Sequence, residues 1–178
     1  MKIGFDAKRA FLNSSGLGNY SRNTLISLRH YYPENNYVLF TPEIKKDLFH
    51  HYEDFDVISP DSSVSKIFKS LWRSFSVSGQ LQKHEIDLFH GLSNELPDGI
   101  HKTKVPSVVT IHDLIFMRFP QFYKPVDRNI YYQKVKYACT AATRIIAISN
   151  QTKEDIVHFF NVNPEKIEVV YQSVSPRY

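Results

Sequence analysis

The chain is poor in the residues that would place it in several common classes. Of 178 residues one is cysteine, Cys139, and one is tryptophan, Trp72. A single thiol excludes a disulfide framework and a cysteine-rich zinc site. Cys139 lies in an Ala/Tyr-rich helical stretch, where a lone cysteine reads as a small core residue. No apolar run approaches the roughly 18 residues of a membrane span, and the opening Met1–Asp6 carries no apolar stretch long enough for a signal peptide. A reducing, cytoplasmic compartment is therefore the expectation. Long basic runs are also absent. Formal charge is +4, a mild excess that points neither to nucleic acid nor to an acidic substrate. The densest basic segment is Lys66, Lys69 and Arg73, which reads as a solvated helix face.

What is present is an ordinary globular balance, 42% hydrophobic and 22% charged, enough for one α/β domain with a full core. Short apolar runs recur along it: Ile3–Phe5, Tyr37–Phe40, Phe55–Ile58, Ile86–Phe89, Ser107–Ile111, Arg144–Ile148 and Ile167–Tyr171. The last three are β-branched and almost continuously apolar, as in strands buried on both faces of a parallel sheet. Helical patterns fill the gaps. Residues 64–82 carry Val64, Ile67, Phe68, Leu71, Trp72 and Phe75 as one stripe, with Lys66, Lys69 and Arg73 on another face. Residues 19–32 and 126–142 are two more helices. Residues 150–160 are a fourth, with Asn150 as its cap and Glu154 and Asp155 favouring its first turn. Alternating strands and helices predict a doubly wound, Rossmann-like parallel sheet of about seven strands with helices on both faces.

Ligands of such sheets bind beyond the C-terminal strand ends. That rule selects Asp6 and its loop, His90 to Asn94, His112-Asp113 and Ser149-Asn150. The first loop holds Ser15-Gly16-Leu17-Gly18-Asn19-Tyr20 before a helix, a place where a diphosphate could meet free amides. A flexible turn explains the same glycines equally well. As a dinucleotide fingerprint the pattern fails: Ser21 stands at the third glycine, and no acid ends the second strand. His112 closes a strongly apolar strand and is followed by Asp113. From spacing alone it is either a cleft group that polarises a leaving group or holds a sugar hydroxyl, or a structural histidine bonded to nearby backbone. His50 and His51 are adjacent, and His84, His90, His101 and His112 lack ligand spacing, so no metal is expected. No Gly-x-Ser-x-Gly elbow exists for a serine hydrolase.

At these loops the chain resembles the family 4 retaining glycosyltransferases of the GT-B fold. The likeness runs in order through Ile3–Ala7, Ser15–Tyr20, Leu88–Gly91 continuing through Asn94 to Leu96-Pro97, Thr110–Leu114 with Arg118-Phe119-Pro120, Ile146–Ser149 with Thr152–Ile156, and Lys166–Tyr171. Six segments in the right order are specific where any one is weak, and the histidine-bearing segment is similar to the mannosyltransferase-like, polysaccharide-assembly subset. Two departures stand out. Ser15 replaces a frequent glycine, and no pair of glutamates has the family's seven-residue separation.

The resemblance implies an N-terminal, acceptor-side domain over residues 1–172, with 173–178 opening an interdomain linker and the donor-binding C-terminal domain absent. It implies transfer of a sugar from a nucleotide-diphosphate sugar to a glycan or lipid-linked acceptor, with retention and without cofactor or metal. His112 would be the catalytic-site residue near the donor sugar. Gly16 and Gly18 would approach the diphosphate and acceptor, Ser149 and Lys153 would shape the cleft wall, and Asn94 and Asp6 would position acceptor or loop. The chain alone is expected to be inactive. A peripheral contact with the inner face of an anionic membrane, through Lys66, Lys69 and Arg73 beside Trp72, is a further expectation. Two rivals stay open: an NAD- or nucleotide-binding domain, and a non-catalytic glycan-binding or assembly domain.

Overall fold

A computed structural model describes residues 1–60 and 71–173. Seven strands form one parallel sheet: β1 Lys2–Asp6, β2 Asn36–Phe40, β3 Asp56–Ile58, β4 Leu88–Gly91, β5 Ser107–Ile111, β6 Arg144–Ala147 and β7 Ile167–Val169. Their order is β3-β2-β1-β4-β5-β6-β7, and every pairing is parallel. The expected doubly wound sheet and its seven strands are met. The chain winds outward from β1 to one edge, then restarts at β4 and winds to the other. The strand order therefore reverses between β1 and β4, where Asp6 lies opposite Gly91. A crevice opens at such a reversal, because the connections leave the sheet in opposite directions.

Strand period explains why both faces are packed. In β2, Tyr37 and Leu39 join one core with Phe5, Phe11, Leu25, Phe49 and Phe55. Val38 and Phe40 point the other way, into a core with Leu81, Phe89, Val109, Ile111 and Ile145. Successive side chains of a strand face opposite sides, so an unbroken apolar run requires cover on both. The helices supply it: α1 Lys8–Leu12, α2 Gly16–Tyr31, α3 Val77–Lys83, α4 Ile115–Arg118, α5 Pro125–Ala141 and α6 Asn150–Phe160. Cys139 is buried and free in this core, as expected, and burial pushes its thiol up to about 12.

Three local expectations change. The cap of α6 is Ser149, whose hydroxyl accepts from the Thr152 amide; Asn150 is already inside the helix. Asp155 lies beyond the first turn of α6 and binds Arg118, with Nε and Nη2 2.5–2.9 Å from its carboxylate. The helix expected over 64–82 divides. Val64, Lys66, Ile67, Phe68 and Lys69 lie outside the described residues. Trp72–Ser76 form a π-helical turn that runs into α3. Trp72 packs against the core, but Leu71 is exposed.

Candidate functional site

The C-terminal edge of the sheet gathers most of the residues selected by topology. β5 delivers His112 one residue beyond its last pairing position. The imidazole is buried, 5% exposed, and does not stand open in a cleft. Its Nε2 lies 3.0 Å from the Leu92 carbonyl oxygen. A carbonyl only accepts, so Nε2 carries the proton and Nδ1 is the acceptor. That acceptor is used by Gln172, whose side-chain amide donates over 3.0 Å from the segment after β7. Burial lowers the His112 pKa, which holds the ring neutral. The backbone is pinned as well. The His112 amide donates to Asn94 Oδ1 at 2.8 Å, and the Thr152 hydroxyl donates to the His112 carbonyl at 3.1 Å.

Asn94 reaches His112 through a left-handed backbone, φ 59°, and its amide donates to the Thr110 carbonyl at 2.8 Å. Asparagine tolerates that conformation better than most residues. Ser149 meets the same cluster. The Thr152 proton is committed to His112, so the Ser149 hydroxyl donates to Thr152 Oγ1 over 3.0 Å. Lys153 does not join: its ammonium donates to the Ile167 carbonyl at the start of β7, 2.8 Å away.

The glycine segment sits against this histidine. Gly16 and Gly18 are not in a loop; they form the first turn of α2. Asn13 organises the approach, its Oδ1 accepting from the Ser15 amide at 2.8 Å, the Ser15 hydroxyl at 2.6 Å and the Gly18 amide at 3.2 Å. Arg22 braces it from below, donating to the carbonyls of Ala10 and Asn13. The amides of Gly16 and Leu17 have no main-chain acceptor among the described residues, as the first turn of any helix dictates. The two glycines differ. A Cβ on Gly18 would lie 1.8 Å from the Asn13 carbonyl oxygen, whereas one on Gly16 would meet nothing within 4 Å.

Tyr20, just past that turn, packs edge-on to His112 with ring centroids 4.7 Å apart. Its hydroxyl is 3.1 Å from Thr110 Oγ1, which is 2.9 Å from His90 Nε2. Burial, and then the neighbouring His112, push His90 down to about 4. Tyr20, Thr110 and Gln172 were not singled out from sequence. Thr110 and Tyr20 lay inside segments chosen for other residues, and Gln172 carries no local signal.

Asp6 belongs to a second cluster at the strand-order reversal. Its carboxylate accepts from the Lys8 amide at 3.2 Å and from Arg73 Nη1 at 2.7 Å. Arg73 also binds Glu95, which takes Lys134 at 3.3 Å. Arg73 is thus an internal ion-pair partner and not part of a solvated basic face. Burial works against its charge, but Asp6 and Glu95 raise its pKa above the ordinary value. Burial likewise opposes ionisation of Glu95, and Arg73 and Lys134 nonetheless hold it below the usual carboxylate range. A cavity of about 300 Å³ opens beside these residues, lined also by Gln133, Lys134 and Tyr137 of α5.

Among the described residues no helix is long and apolar enough to cross a membrane, and no three His, Cys, Asp or Glu side chains come together as metal ligands would.

Solved structures share this architecture. A glycosyltransferase from Rickettsia africae matches 97% of the chain at 16% identity, TM-score 0.58. Anabaena HepE, solved with UDP and glucose, matches 99% at 15% identity and TM-score 0.59. WaaG, a glycosyltransferase of lipopolysaccharide biosynthesis, matches 99% at 13% identity and TM-score 0.61. The chain spans 43%, 47% and 46% of those three chains, less than half of each. No curated protein matches it in sequence. The fold is therefore one half of a GT-B architecture, and a family model, Glycosyltransferase Family 4, matches residues 21–178. The chain belongs to Glycosyltransferase Family 4.

Proposed function

We propose that this chain is the acceptor-side half of an enzyme that moves a sugar from a nucleotide-diphosphate sugar to a glycan or lipid-linked acceptor, with retention at the anomeric carbon. The observation that carries the reading is the pairing of His112 with the N-terminal part of α2, through Tyr20, at the C-terminal edge of a family 4 domain. Two kinds of group that sugar transfer uses meet there. The Gly16 and Leu17 amides, at the positive end of α2, suit an approaching diphosphate. The neutral His112 offers Nδ1 as an acceptor, so a sugar hydroxyl that displaces the Gln172 amide donates to it. In this protonation state His112 orients sugar at Nδ1; it has no proton there to give a leaving group. Asn94, Ser149 and Thr152 hold the His112 backbone and act by positioning. Asp6 serves the acceptor side through its ion pair with Arg73. A cytoplasmic place at the inner face of a membrane belongs to the same reading.

The division of labour is tested by calorimetry. If most nucleotide contacts belong to a second domain, the 178-residue chain binds UDP- and GDP-sugars only weakly and transfers nothing. Micromolar affinity of this chain for a nucleotide sugar would overturn that division.

A further inference from the structure

The residues that follow β7 run back over the sheet instead of away from it. In the sheet β7 lies two strands from β5, with β6 between them. Ile111, Ala147 and Val169 share one row across these strands. Val170 still follows the ladder, its amide donating to the Ala147 carbonyl at 3.0 Å. Beyond it the chain crosses the end of β6. The Tyr171 hydroxyl accepts from Asn150 Nδ2 at 3.1 Å, on the first residue of α6. Gln172 then reaches His112, which ends β5, on the far side.

This strap is lightly buried. Val170 is 52% exposed, Tyr171 is 68% exposed, and Gln172 is exposed as well. Little apolar surface therefore opposes its release. Ile167, at the start of β7, is fully buried by contrast. The ring beneath the strap is buried too, with its Nε2 proton committed to the Leu92 carbonyl. Its Nδ1 is covered by a side chain that itself lies at the surface.

Nδ1 of a neutral imidazole has one lone pair and takes one donor at a time. The Gln172 N–H and a ligand O–H therefore exclude each other. We infer that Gln172 is a place-holding residue of the sugar site: its amide stands where a ligand hydroxyl donates to His112, and a ligand lifts the 170–172 strap as it binds. The inference rests on the reading of His112 given above. It adds a residue that sets the affinity of the site and moves when the site fills. The exchange costs little. In the empty site the amide satisfies a buried acceptor. In the filled site the hydroxyl satisfies it, and Gln172, already at the surface, turns to water. Neither state strands a buried polar atom. A ligand oxygen that only accepts, such as an ether, cannot take the place of the amide.

The test is read at the ring itself, by NMR of the 178-residue chain with isotope-labelled histidine nitrogens; His112→Gln identifies the signals. Wild type should show Nε2 protonated and Nδ1 as a hydrogen-bonded acceptor. Gln172→Ala should leave Nε2 as it is and move Nδ1 to the position of a free acceptor, with the melting temperature shifted by a few degrees at most. Gln172→Glu keeps the size but has no N–H, and should draw a proton onto Nδ1. A residue that only packs would do neither. The probe ligand is methyl α-mannoside, with dioxane, which only accepts hydrogen bonds, as its control. In wild type the glycoside should perturb Nδ1 and the amides of residues 170–172 together. It should bind Gln172→Ala about threefold to tenfold tighter, the gain from removing one competing hydrogen bond. Dioxane should leave Nδ1 and the strap unmoved. A free Nδ1 in wild type would overturn the proposal. So would equal glycoside affinity in wild type and Gln172→Ala, or no response of Nδ1 in that variant. Weaker binding to Gln172→Ala would overturn it too, by making Gln172 part of the ligand's own contact surface. The ring-nitrogen signals need no sugar, and sugar transfer is scored by turnover of protein that includes the second domain, so this inference and the site reading fail separately.

Discussion

Two glycines two residues apart in the first turn of α2 make opposite demands. Gly18 has the Asn13 carbonyl where a Cβ would go, and backbone cannot swing aside as a side-chain end can. Gly18→Ala should therefore cost about 1–3 kcal/mol, the usual scale for overpacking. Gly16 has open space on that side. Gly16→Ala should leave the fold unchanged or slightly firmer, since alanine loses less freedom in a helix, and any loss of transfer would then come from crowding the ligand. Denaturant melts of both variants check this; equal destabilisation would refute the distinction.

The two buried histidines give a pH signature. Both are held neutral, His90 with a pKa pushed down to about 4. Unfolding returns each toward about 6.5. The unfolded chain therefore binds more protons below that value, and stability falls as pH drops from 6.5 toward 4. For His90 alone the full loss is about 3 kcal/mol, at 1.36 kcal/mol per pKa unit. Above pH 6.5 its contribution is complete and flat. His90→Gln should flatten the slope between pH 6.5 and 5, before the carboxylates titrate. A wild-type melting temperature constant across that window would contradict the assignment.

Arg73 bears on both stability and the cavity at the strand-order reversal. Its removal would leave Asp6 and Glu95 close together with less compensation. Arg73→Met should destabilise by about 3–5 kcal/mol at neutral pH, the scale for breaking a buried pair. The deficit should shrink on acidification, because Glu95 can then be neutralised by a proton. A deficit that stays the same from pH 7 to pH 4.5 would point to lost packing instead.

At the level of elements, hydrophobic period did most of the work that sequence can do. Runs such as Ser107–Ile111 and Arg144–Ile148 could only be covered on both faces, and so the parallel sheet was legible from the amino-acid order alone. Helix bounds were close for 150–160 and displaced for the glycine segment, where Gly16 and Gly18 belong to α2 itself. Propensity misplaced that boundary because glycine is a poor helix former, whereas in a first turn its backbone can approach a neighbour. Arg73 departs from the expected basic stripe for a different reason. Angular position on a helix shows which residues share a face, but not what that face meets. Arg73 meets Asp6 and Glu95, 67 and 22 positions away.

For the whole molecule, the topology rule found the edge of the site but not its chemistry. Asp6, Asn94, His112 and Ser149 all lie at the expected strand ends. Asn94, His112 and Ser149 join one hydrogen-bonded group, Asp6 joins the Arg73 cluster, and Lys153 is turned to β7. Neither the neutral tautomer of His112 nor the Gln172 amide on its Nδ1 could be read from spacing, since each depends on contacts 20 and 60 residues away. Those contacts also change what a substitution reports. A cleft-edge histidine could be cut to alanine at little cost. This one is buried and bonded at both nitrogens, so His112→Ala mixes stability with function.

A closer substitution separates them. In His112→Gln the side-chain nitrogen can still donate to the Leu92 carbonyl, but the one acceptor, Oε1, then branches from the place of the ring Cδ2, on the side away from Nδ1, so no acceptor stands where Nδ1 was. The decisive measurement is the turnover and melting temperature of His112→Gln in protein that carries both domains. If His112 orients the sugar through Nδ1, turnover falls by roughly 10²-fold, the scale of a lost polar contact at a reacting centre, and the melting temperature moves by only a few degrees, as for a loss of about 1 kcal/mol. Near-normal turnover in that variant would contradict the account and leave His112 a purely structural residue.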